Sequence, residues 1–211
     1  MTAITCTDVS KTFRGSTVLR GVDLQVHRGD AIGVSGPNGS GKSVLFKILV
    51  GFMRPTSGSV HIDPALMGPG RAYPESFGVM INRPGYLGQL SARDNLRELA
   101  AIRRVADEAR IVEVLESLGL DPQSRTKARN FSLGMKQKLG IAQAIMEHPR
   151  VLVLDEPFNA LDQTSSHAVT QVLTDFVAHG GTLLMTSHRA EDLDALTTRR
   201  LRIEDASLVE D

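Results

Sequence analysis

The chain has 211 residues, of which 41% are hydrophobic and 23% are charged, and its 24 basic residues balance 24 acidic ones. This length and composition allow a core that needs no metal or disulfide, which excludes a mainly disordered protein. The zero net charge argues against general nucleic-acid binding, which requires a basic excess or a basic face. The single cysteine, Cys6, has no partner for an internal disulfide, as is usual in a reducing compartment.

The apolar stretches of the sequence are too short to cross a bilayer. The N-terminal segment carries Asp8 and Lys11 where a signal peptide has its apolar core. The longest apolar stretch, 44–53, is interrupted by Lys47 and falls short of the roughly 20 residues that a spanning helix needs. We therefore expect a soluble chain that reaches a membrane only through a partner.

Strand and helix patterns alternate along the chain. Apolar runs predict strands over 5–9, 19–26, 31–34, 60–62, 77–81, 151–154, 182–186 and 200–204. Helical spacing and end signals, such as the capping box Ser91-Ala-Arg-Asp94, predict helices over 42–50, 92–105, 108–118, 132–147, 165–178 and 191–196. This alternation is typical of an α/β fold with a mostly parallel sheet. Because residues 86–147 are mainly helical, we expect one domain over 1–211 with an inserted α-helical subdomain.

The most specific motif is Gly36-Pro-Asn-Gly-Ser-Gly-Lys42-Ser43, which matches the phosphate-loop pattern G-x-x-x-x-G-K-[ST]. It lies between a predicted strand and a predicted helix, as such a loop requires. Its glycines let backbone N–H groups surround phosphate oxygens, and the helix N-terminus adds partial positive charge. Lys42 can reach the β- and γ-phosphates, and the Ser43 hydroxyl can bind Mg²⁺. The candidate phosphate-binding residues are Asn38, Gly39, Ser40, Gly41, Lys42, Ser43 and Val44.

Two adjacent carboxylates follow the apolar run 151–154. Such a strand delivers Asp155 to the carboxyl edge of the sheet, where ligands of α/β folds bind, and makes it the candidate Mg²⁺-holding acid. Glu156 is expected to point the other way on an extended backbone, which suits it to orient or deprotonate the attacking water. Two surface carboxylates at a strand end are the structural alternative, and the phosphate loop upstream argues against it.

Three more segments, in order, make the sequence resemble the nucleotide-binding subunit of an ABC transporter. Phe131-Ser-Leu-Gly-Met135 resembles the signature LSGGQ of that family, and Asn159-Ala-Leu-Asp162 resembles its D-loop. His188 follows an apolar strand, where the family has its switch histidine. The resemblance spans about residues 3–204, and the string Ser-Leu-Gly-Met-Lys-Gln is similar to the branch of bacitracin and lantibiotic resistance transporters.

The resemblance implies a P-loop NTPase fold with an N-terminal antiparallel β part, and it implies ATP and Mg²⁺ as ligands. Two ATPase subunits, identical or paralogous, would enclose two ATP molecules. Each would offer its signature and D-loop residues to the nucleotide of the other: Ser132, Gly134, Met135 and Asp162. Phe13 stands where the family stacks an aromatic ring on adenine, and Val18 where it packs near the ribose. A helix N-cap for Ser132 and a core position for Phe13 remain open alternatives.

In the family's mechanism Glu156 would act as base, Lys42 with Mg²⁺ would stabilise the transferred charge, and His188 would contact the γ-phosphate. The resemblance also implies a cytoplasmic subunit, peripheral on the inner face of the cell membrane through a multi-spanning partner, and it favours export. Tyr86, Leu87 and Leu90 stand at the edge that receives a short helix of that partner in the family. An ordinary buried cluster is the alternative for these three residues.

The sequence departs from the family's pattern at three positions. Leu133 replaces a signature glycine and Met135 replaces its glutamine, which we interpret as a mark of the subfamily. In the segment 77–86, Asn82 replaces the Q-loop glutamine and remains a candidate Mg²⁺ ligand. Because its side chain is one methylene shorter, we hypothesise weakened coupling or slower turnover with ATP binding intact.

Three other functions stay open as alternatives. A soluble regulatory or nucleic-acid-handling ATPase could use the same module, although the neutral charge argues against it. A GTPase or small-molecule kinase lacks support, because there is no N-K-x-D motif and the signature-like segment has no place in such enzymes. A module that only holds ATP is disfavoured by the presence of Glu156.

Overall fold

A computed structural model describes residues 1–68, 70, 73–82 and 84–211. Arg83, which belongs to the Q-loop-like segment, lies outside the described residues. The strands are β1 Thr2–Phe13, β2 Ser16–His27, β3 Ala31–Ser35, β4 Ser57–Ile62, β5 Phe77–Met80, β6 Val151–Leu154, β7 Thr182–Thr186, β8 Arg199–Glu204 and β9 Ser207–Glu210. The α-helices are α1 Lys42–Leu49, α2 Ala92–Arg103, α3 Glu108–Ser117, α4 Leu133–Ile145, α5 Gln163–Ala178 and α6 Ala190–Leu196.

The N-terminal part is a three-stranded antiparallel sheet in the order β2-β1-β4. The β1–β2 hairpin closes through Arg14 and Gly15, both of which have positive φ, as a type I′ hairpin turn requires. Both strands are 12 residues long and extend beyond the predicted 5–9 and 19–26. Their polar ends pair through backbone hydrogen bonds, which need no apolar side chains.

The second sheet has six strands in the order β5-β6-β7-β3-β8-β9, and all its pairs are parallel except β8 with β9. Every residue of β6 and β7 is buried, because their side chains pack alternately into two hydrophobic clusters, one with α1 and the antiparallel sheet and one with helices α2 to α5. The mostly parallel sheet confirms the expected α/β class. Strand β9 was not predicted, because this half-exposed edge strand pairs through a tight turn at Asp205 and Ala206 and shows no apolar alternation.

Helices α2, α3 and α4 follow β5 and precede β6. The side chains of Ser91 and Asp107 cap α2 and α3 by accepting hydrogen bonds from first-turn N–H groups. The three helices share a core whose fully buried members include Leu96, Leu115 and Leu139. In the part of the chain that the structure describes, no helix is both long and apolar enough to cross a membrane.

Helix α4 lies directly against β5 because Gly78 has no side chain. A Cβ atom at Gly78 would overlap the carbonyl oxygen of Ala144 in α4 and lie 2.6 Å from a methyl carbon of Leu152 in β6. This contact fixes the helix that begins at the signature-like segment against the strand beside the acid pair. The position of α4 therefore depends on a glycine to which the sequence patterns assigned no role.

We predict that Gly78→Ala lowers the free energy of unfolding by about 1–3 kcal/mol, since the new methyl group must displace backbone rather than a flexible side chain. Gly85→Ala is the matched control, because nothing lies within 4 Å of a Cβ atom there and its φ is not positive. Urea unfolding followed by circular dichroism measures both. Equal stabilities of the two variants would contradict the close approach of α4 and β5.

Candidate nucleotide site

Three parallel strands bring the predicted site residues to one edge of the sheet. The phosphate loop follows β3, the acid pair Asp155–Glu156 follows β6, and His188 follows β7. Since β3 and β6 both pair with β7 in parallel, their carboxyl ends meet. Ligands of open α/β sheets bind at this edge. The site is thus a direct consequence of the strand order.

The phosphate loop is closed over its own lysine. The Lys42 ammonium donates hydrogen bonds to the carbonyl oxygens of Gly36 at 2.7 Å and Pro37 at 3.1 Å. No side chain caps the start of α1, so the N–H groups of its first turn are left for another acceptor. Gly36 permits this tight loop, because its φ is 140° and a Cβ atom would lie 2.9 Å from the Ile203 carbonyl oxygen.

An orphaned hydroxyl inside this loop fits an anionic ligand. Ser40 Oγ is buried and has no hydrogen-bond partner among the residues that the structure describes. A buried hydroxyl without a partner is costly, so such a group usually awaits a ligand or water. Because Ser40 lies in the loop between Gly36 and Lys42, a bound phosphate oxygen would supply the missing hydrogen-bond partner. The neighbouring Asn38 and Gly39 are exposed, and Val44 is half-buried in the first turn of α1.

Ser43 and Asp155, which are 112 residues apart in the chain, meet at the mouth of the sheet. Ser43 Oγ donates a hydrogen bond of 2.5 Å to Asp155 Oδ2. Hydroxyl and carboxylate oxygens are the ligands that Mg²⁺ prefers, so the pair fits this ion by donor type. Within the described ranges, no cluster of three or more His, Cys, Asp or Glu side chains could hold a metal alone. Phosphate oxygens would supply the remaining ligands, as is usual for Mg²⁺.

Asn82 reaches the same carboxylate with its backbone. Its N–H lies 3.4 Å from Asp155 Oδ2, while the residue is exposed and has a φ of 64°. Asparagine adopts this left-handed conformation more readily than residues with longer side chains. The left-handed backbone thus gives a conformational reason for asparagine at the Q-loop-like position, in addition to its shorter side chain.

Glu156 does not have the extended backbone that the sequence predicted. Its φ is 52°, in the left-handed region, which costs a residue with a Cβ atom roughly 1–2 kcal/mol. The chain turns sharply here because β6 ends at Leu154 and the next residues leave the sheet. Two side chains hold the turned peptide: Glu156 N–H donates to Thr186 Oγ1 at 2.8 Å, and Gln137 Nε2 donates to the Glu156 carbonyl oxygen at 2.8 Å.

The Glu156 carboxylate and the His188 imidazole form a hydrogen-bonded pair next to Asp155. His188 Nδ1 lies 2.9 Å from Glu156 Oε2, and 60% of the imidazole side chain is exposed. The segment 187–189, which carries His188, is anchored by the buried Asp192. Asp192 accepts hydrogen bonds from Ser187 Oγ at 2.8 Å and from the Arg189 guanidinium. The backbone around His188 is therefore held in place, and its exposed imidazole is accessible to a ligand at the carboxyl edge of the sheet.

The signature-like and D-loop-like residues lie at two helix starts. Ser132 caps α4, because its Oγ accepts a hydrogen bond of 3.1 Å from the Met135 N–H. Asp162 caps α5 by accepting a hydrogen bond of 2.7 Å from the Ser165 N–H, and this bond lowers the pKa of the Asp162 carboxyl. Gly134 permits contact between the two segments, since a Cβ atom there would lie 2.8 Å from the Ala160 carbonyl oxygen.

The structure does not bring these helix starts to the phosphate loop of the same chain. Among the described residues, no hydrogen bond joins Ser132, Gly134, Met135 or Asp162 to the segment 36–43. The N-cap alternative for Ser132 is therefore correct as a structural role. It excludes no additional ligand contact, since Ser132 is exposed.

Phe13, expected to stack on adenine, is exposed, and Val18, expected near the ribose, is half-buried. Phe13 is 41% exposed at the end of β1, and the Lys11 ammonium lies 5.1 Å from its ring centroid. The alternative of a core position for Phe13 is therefore wrong. Val18 is half-buried and lines a cleft of about 500 Å³ together with phosphate-loop residues Pro37, Asn38, Gly39 and Ser40.

The edge expected to meet a membrane subunit is partly buried. Tyr86 packs against the core of the helical segment and Leu90 is half-buried, whereas Leu87 is 55% exposed. Asn95 fixes the backbone at this point by accepting a hydrogen bond of 2.7 Å from the Leu87 N–H. The three residues are thus neither a wholly buried cluster nor a wholly exposed one.

Sequence reasoning missed Thr186 and Gln137. The signal for Thr186 was available: it is the polar end of an apolar strand, one residue beyond the Leu154–Met185 register pair and therefore level with Asp155. Gln137 is the last residue of the string Ser-Leu-Gly-Met-Lys-Gln, two residues after Met135, and only the packing of α4 brings it to Glu156.

Comparison with known proteins agrees with the residues described above. The family described as ABC transporter matches residues 19–159. The uncharacterized ABC transporter ATP-binding protein YybJ of Bacillus subtilis (strain 168) is 36% identical over 90% of this chain and 87% of its own length. The lantibiotic transport ATP-binding protein SrtF of Streptococcus pyogenes is 32% identical over 90% and 81%, respectively. The bacitracin transport ATP-binding protein BcrA of Bacillus licheniformis is 31% identical over 100% and 69%.

Solved structures support the same fold. The ATP-binding cassette MJ0796, in a dimeric post-hydrolysis state bound to ADP and Pi, superposes with a TM-score of 0.86 at 22% identity, covering 99% of this chain and 97% of that one. An ATP-binding subunit of an ABC transporter superposes with a TM-score of 0.87 at 26% identity, covering 99% and 89%. The chain belongs to the ABC transporter family, as one of its ATP-binding proteins.

Proposed function

We propose that this chain binds ATP with Mg²⁺, hydrolyses it, and powers transport through a separate membrane subunit. The observation that carries the proposal is the 2.5 Å contact between Ser43 and Asp155, with the Glu156–His188 pair directly beside it. A phosphate loop, an acid for Mg²⁺ and a carboxylate base are the parts that phosphoryl transfer to water requires. All three lie at one sheet edge in this chain.

Binding begins with the phosphate loop. The Lys42 ammonium would exchange the carbonyl oxygens of Gly36 and Pro37 for phosphate oxygens, and Ser40 Oγ would gain the partner that it lacks. Ser43 and Asp155 would hold Mg²⁺, which neutralises charge on the β- and γ-phosphate oxygens. Phe13 would stack on adenine, a contact of about 1 kcal/mol that discriminates weakly among bases.

Hydrolysis uses the pair at the mouth of the sheet. A water molecule attacks the γ-phosphorus, and the Glu156 carboxylate accepts its proton as the bond to ADP breaks. The hydrogen bond from His188 Nδ1 orients Glu156 Oε2, and the exposed imidazole can also reach the transferred group. Lys42 stabilises the charge on that group.

The residues at the starts of α4 and α5 have no role toward the phosphate loop of their own chain. We assign Ser132, Gly134, Met135 and Asp162 to the nucleotide of a second ATPase subunit, identical or paralogous. Two observations support this: Leu133 beside them is 73% exposed, and the structural relative MJ0796 is described as a dimer. Two helix N-termini facing one nucleotide would favour its negative charge.

The transport role rests on the named relatives. SrtF and BcrA are lantibiotic and bacitracin transport proteins, so a peptide antibiotic is the proposed class of cargo, with export as the direction. The membrane subunit would select the cargo, and this chain, folded as one domain with the inserted helices, would lie at the cytoplasmic face of the cell membrane. A regulatory ATPase without a membrane partner is the less favoured alternative.

Replacing Glu156 by glutamine tests the hydrolytic step. Glutamine keeps an oxygen that accepts from His188 but cannot take a proton from water, so ATP turnover falls by at least about 100-fold while ATP binding persists. Glu116→Gln, on an exposed face of α3, is the matched control and keeps the wild-type rate. Phosphate release gives the rates and calorimetry gives the affinities. Retention of most activity by Glu156→Gln would remove Glu156 from the role of base.

Replacing Asn82 by glutamine tests the Q-loop hypothesis. The longer amide can reach Mg²⁺ or the attacking water directly, so partner-stimulated ATPase activity rises, while ATP affinity stays the same. The left-handed backbone at this position opposes the gain by destabilising the variant slightly. ATPase assays with the membrane subunit, together with thermal unfolding, measure both effects. An unchanged stimulated rate would discard the hypothesis.

A pull-down from detergent-solubilised native membranes tests the coupling to transport. Tagged Glu156→Gln protein with Mg-ATP should retain the assembled complex, because hydrolysis no longer releases it. We expect a multi-spanning membrane protein in near-equal amount. Recovery of soluble proteins alone would favour the regulatory ATPase.

A further inference from the structure

We propose that Thr186 and Gln137 are positioning residues that clamp the peptide of Glu156, and that Thr186 also sets the orientation of Asp155. The inference rests on the proposed hydrolysis of ATP and deepens it. It makes the geometry of both acidic groups depend on two side chains from different parts of the fold. One comes from the strand beside β6, and the other comes from α4.

Thr186 is a fully buried hydroxyl that links both members of the acid pair. Its Oγ1 donates a hydrogen bond of 2.8 Å to Asp155 Oδ1 and accepts one of 2.8 Å from the Glu156 N–H. The first bond leaves Asp155 Oδ2 for Ser43. The Thr186 hydroxyl therefore determines which Asp155 oxygen faces Ser43. The same hydroxyl holds the N–H group of Glu156 in place.

The turned backbone of Glu156 explains why a clamp is needed. Its φ of 52° is unfavourable for a residue with a Cβ atom and persists only where the surroundings hold it. The N–H is held by Thr186 and the carbonyl oxygen by Gln137, so the peptides on both sides of the Glu156 Cα atom are fixed. From this backbone the carboxylate reaches His188 at 2.9 Å.

Gln137 adds a link between the helical segment and the base. It lies on α4, the helix that begins at the signature-like residues, and its Nε2 donates to the Glu156 carbonyl oxygen at 2.8 Å. A contact made by Ser132 or Gly134 with a second nucleotide would thus be transmitted along one helix to Glu156. Gln137 has no hydrogen bond to Asp155 among the described residues, which separates its effect from that of Thr186.

Substitutions of Thr186 and Gln137 are therefore expected to have different effects on the site. Thr186→Val keeps the shape of the side chain but removes the hydroxyl, so Asp155 and the Glu156 N–H both lose a partner. Gln137→Leu removes only the support of the Glu156 carbonyl oxygen. Supporting residues of this kind typically change metal affinity or activity by about 10- to 100-fold.

The test combines ATP turnover with a binding measurement that needs no turnover. Calorimetry of ADP binding at a series of Mg²⁺ concentrations gives the apparent Mg²⁺ affinity, and phosphate release gives kcat and KM for ATP. We expect Thr186→Val to weaken the apparent Mg²⁺ affinity and to lower kcat, each by about 10-fold or more. Thr186→Ser, which keeps the hydroxyl, restores both. Gln137→Leu lowers kcat by a similar factor and leaves KM and the Mg²⁺ dependence unchanged.

Two matched controls separate positioning from loss of stability. Thr182→Val removes a buried hydroxyl at the other end of β7, where Oγ1 accepts from the Gly29 N–H at 2.9 Å. Gln171→Leu removes an exposed amide that donates to Asp175 at 3.0 Å. Both controls keep the wild-type kcat and Mg²⁺ dependence.

Several outcomes would overturn the inference. Wild-type Mg²⁺ dependence and kcat in Thr186→Val would remove Thr186 from the clamp, and so would equal effects of Thr182→Val. A Mg²⁺ shift in Gln137→Leu as large as that in Thr186→Val would contradict the separation of the two roles. If the wild-type protein binds Mg-ADP but hydrolyses no ATP, the proposed function fails, whereas the Mg²⁺ titration still decides the role of Thr186.

Discussion

The Asp155 carboxylate is the constraint on which the site depends. It is only 6% exposed, and each of its oxygens is held by a different part of the chain: Oδ1 by Thr186, and Oδ2 by Ser43. A buried carboxylate is costly unless hydrogen bonds satisfy it. The strand that carries Thr186 and the strand that precedes the Ser43 loop must therefore lie close to β6 in the sheet, and the order β6-β7-β3 meets that requirement. Fold and site are two consequences of the same arrangement.

The positions of the chemical groups could be predicted from the sequence, but their backbone conformations could not. The phosphate loop and the acid pair carry local patterns whose spacing follows from phosphate and metal chemistry, so Lys42, Ser43 and Asp155 were identifiable. The left-handed turn at Glu156 was not, because it depends on hydrogen bonds from Thr186 and Gln137, which lie on other elements. Only the packing of those elements reveals the support.

For the fold, too, the sequence predicts the elements that carry a local pattern but not those that depend on packing. Long apolar runs predicted the buried strands of the parallel sheet, because burial on both faces leaves a continuous signal. Strand β9 left none, since it is a half-exposed edge strand held by a tight turn. The close packing of α4 on β5 depends on Gly78, whose lack of a side chain carries no periodic pattern.

The most direct test of this account is a double-mutant cycle of Ser43→Ala and Asp155→Asn, measured as ADP affinity with and without Mg²⁺. If the two residues hold one metal ion, each single change weakens ADP binding with Mg²⁺, and the double change costs little more than either alone. Without Mg²⁺, Asp155→Asn should not weaken ADP binding, because it removes a negative charge near the phosphates. Additive losses that persist without Mg²⁺ would contradict a shared metal site and the account built on it.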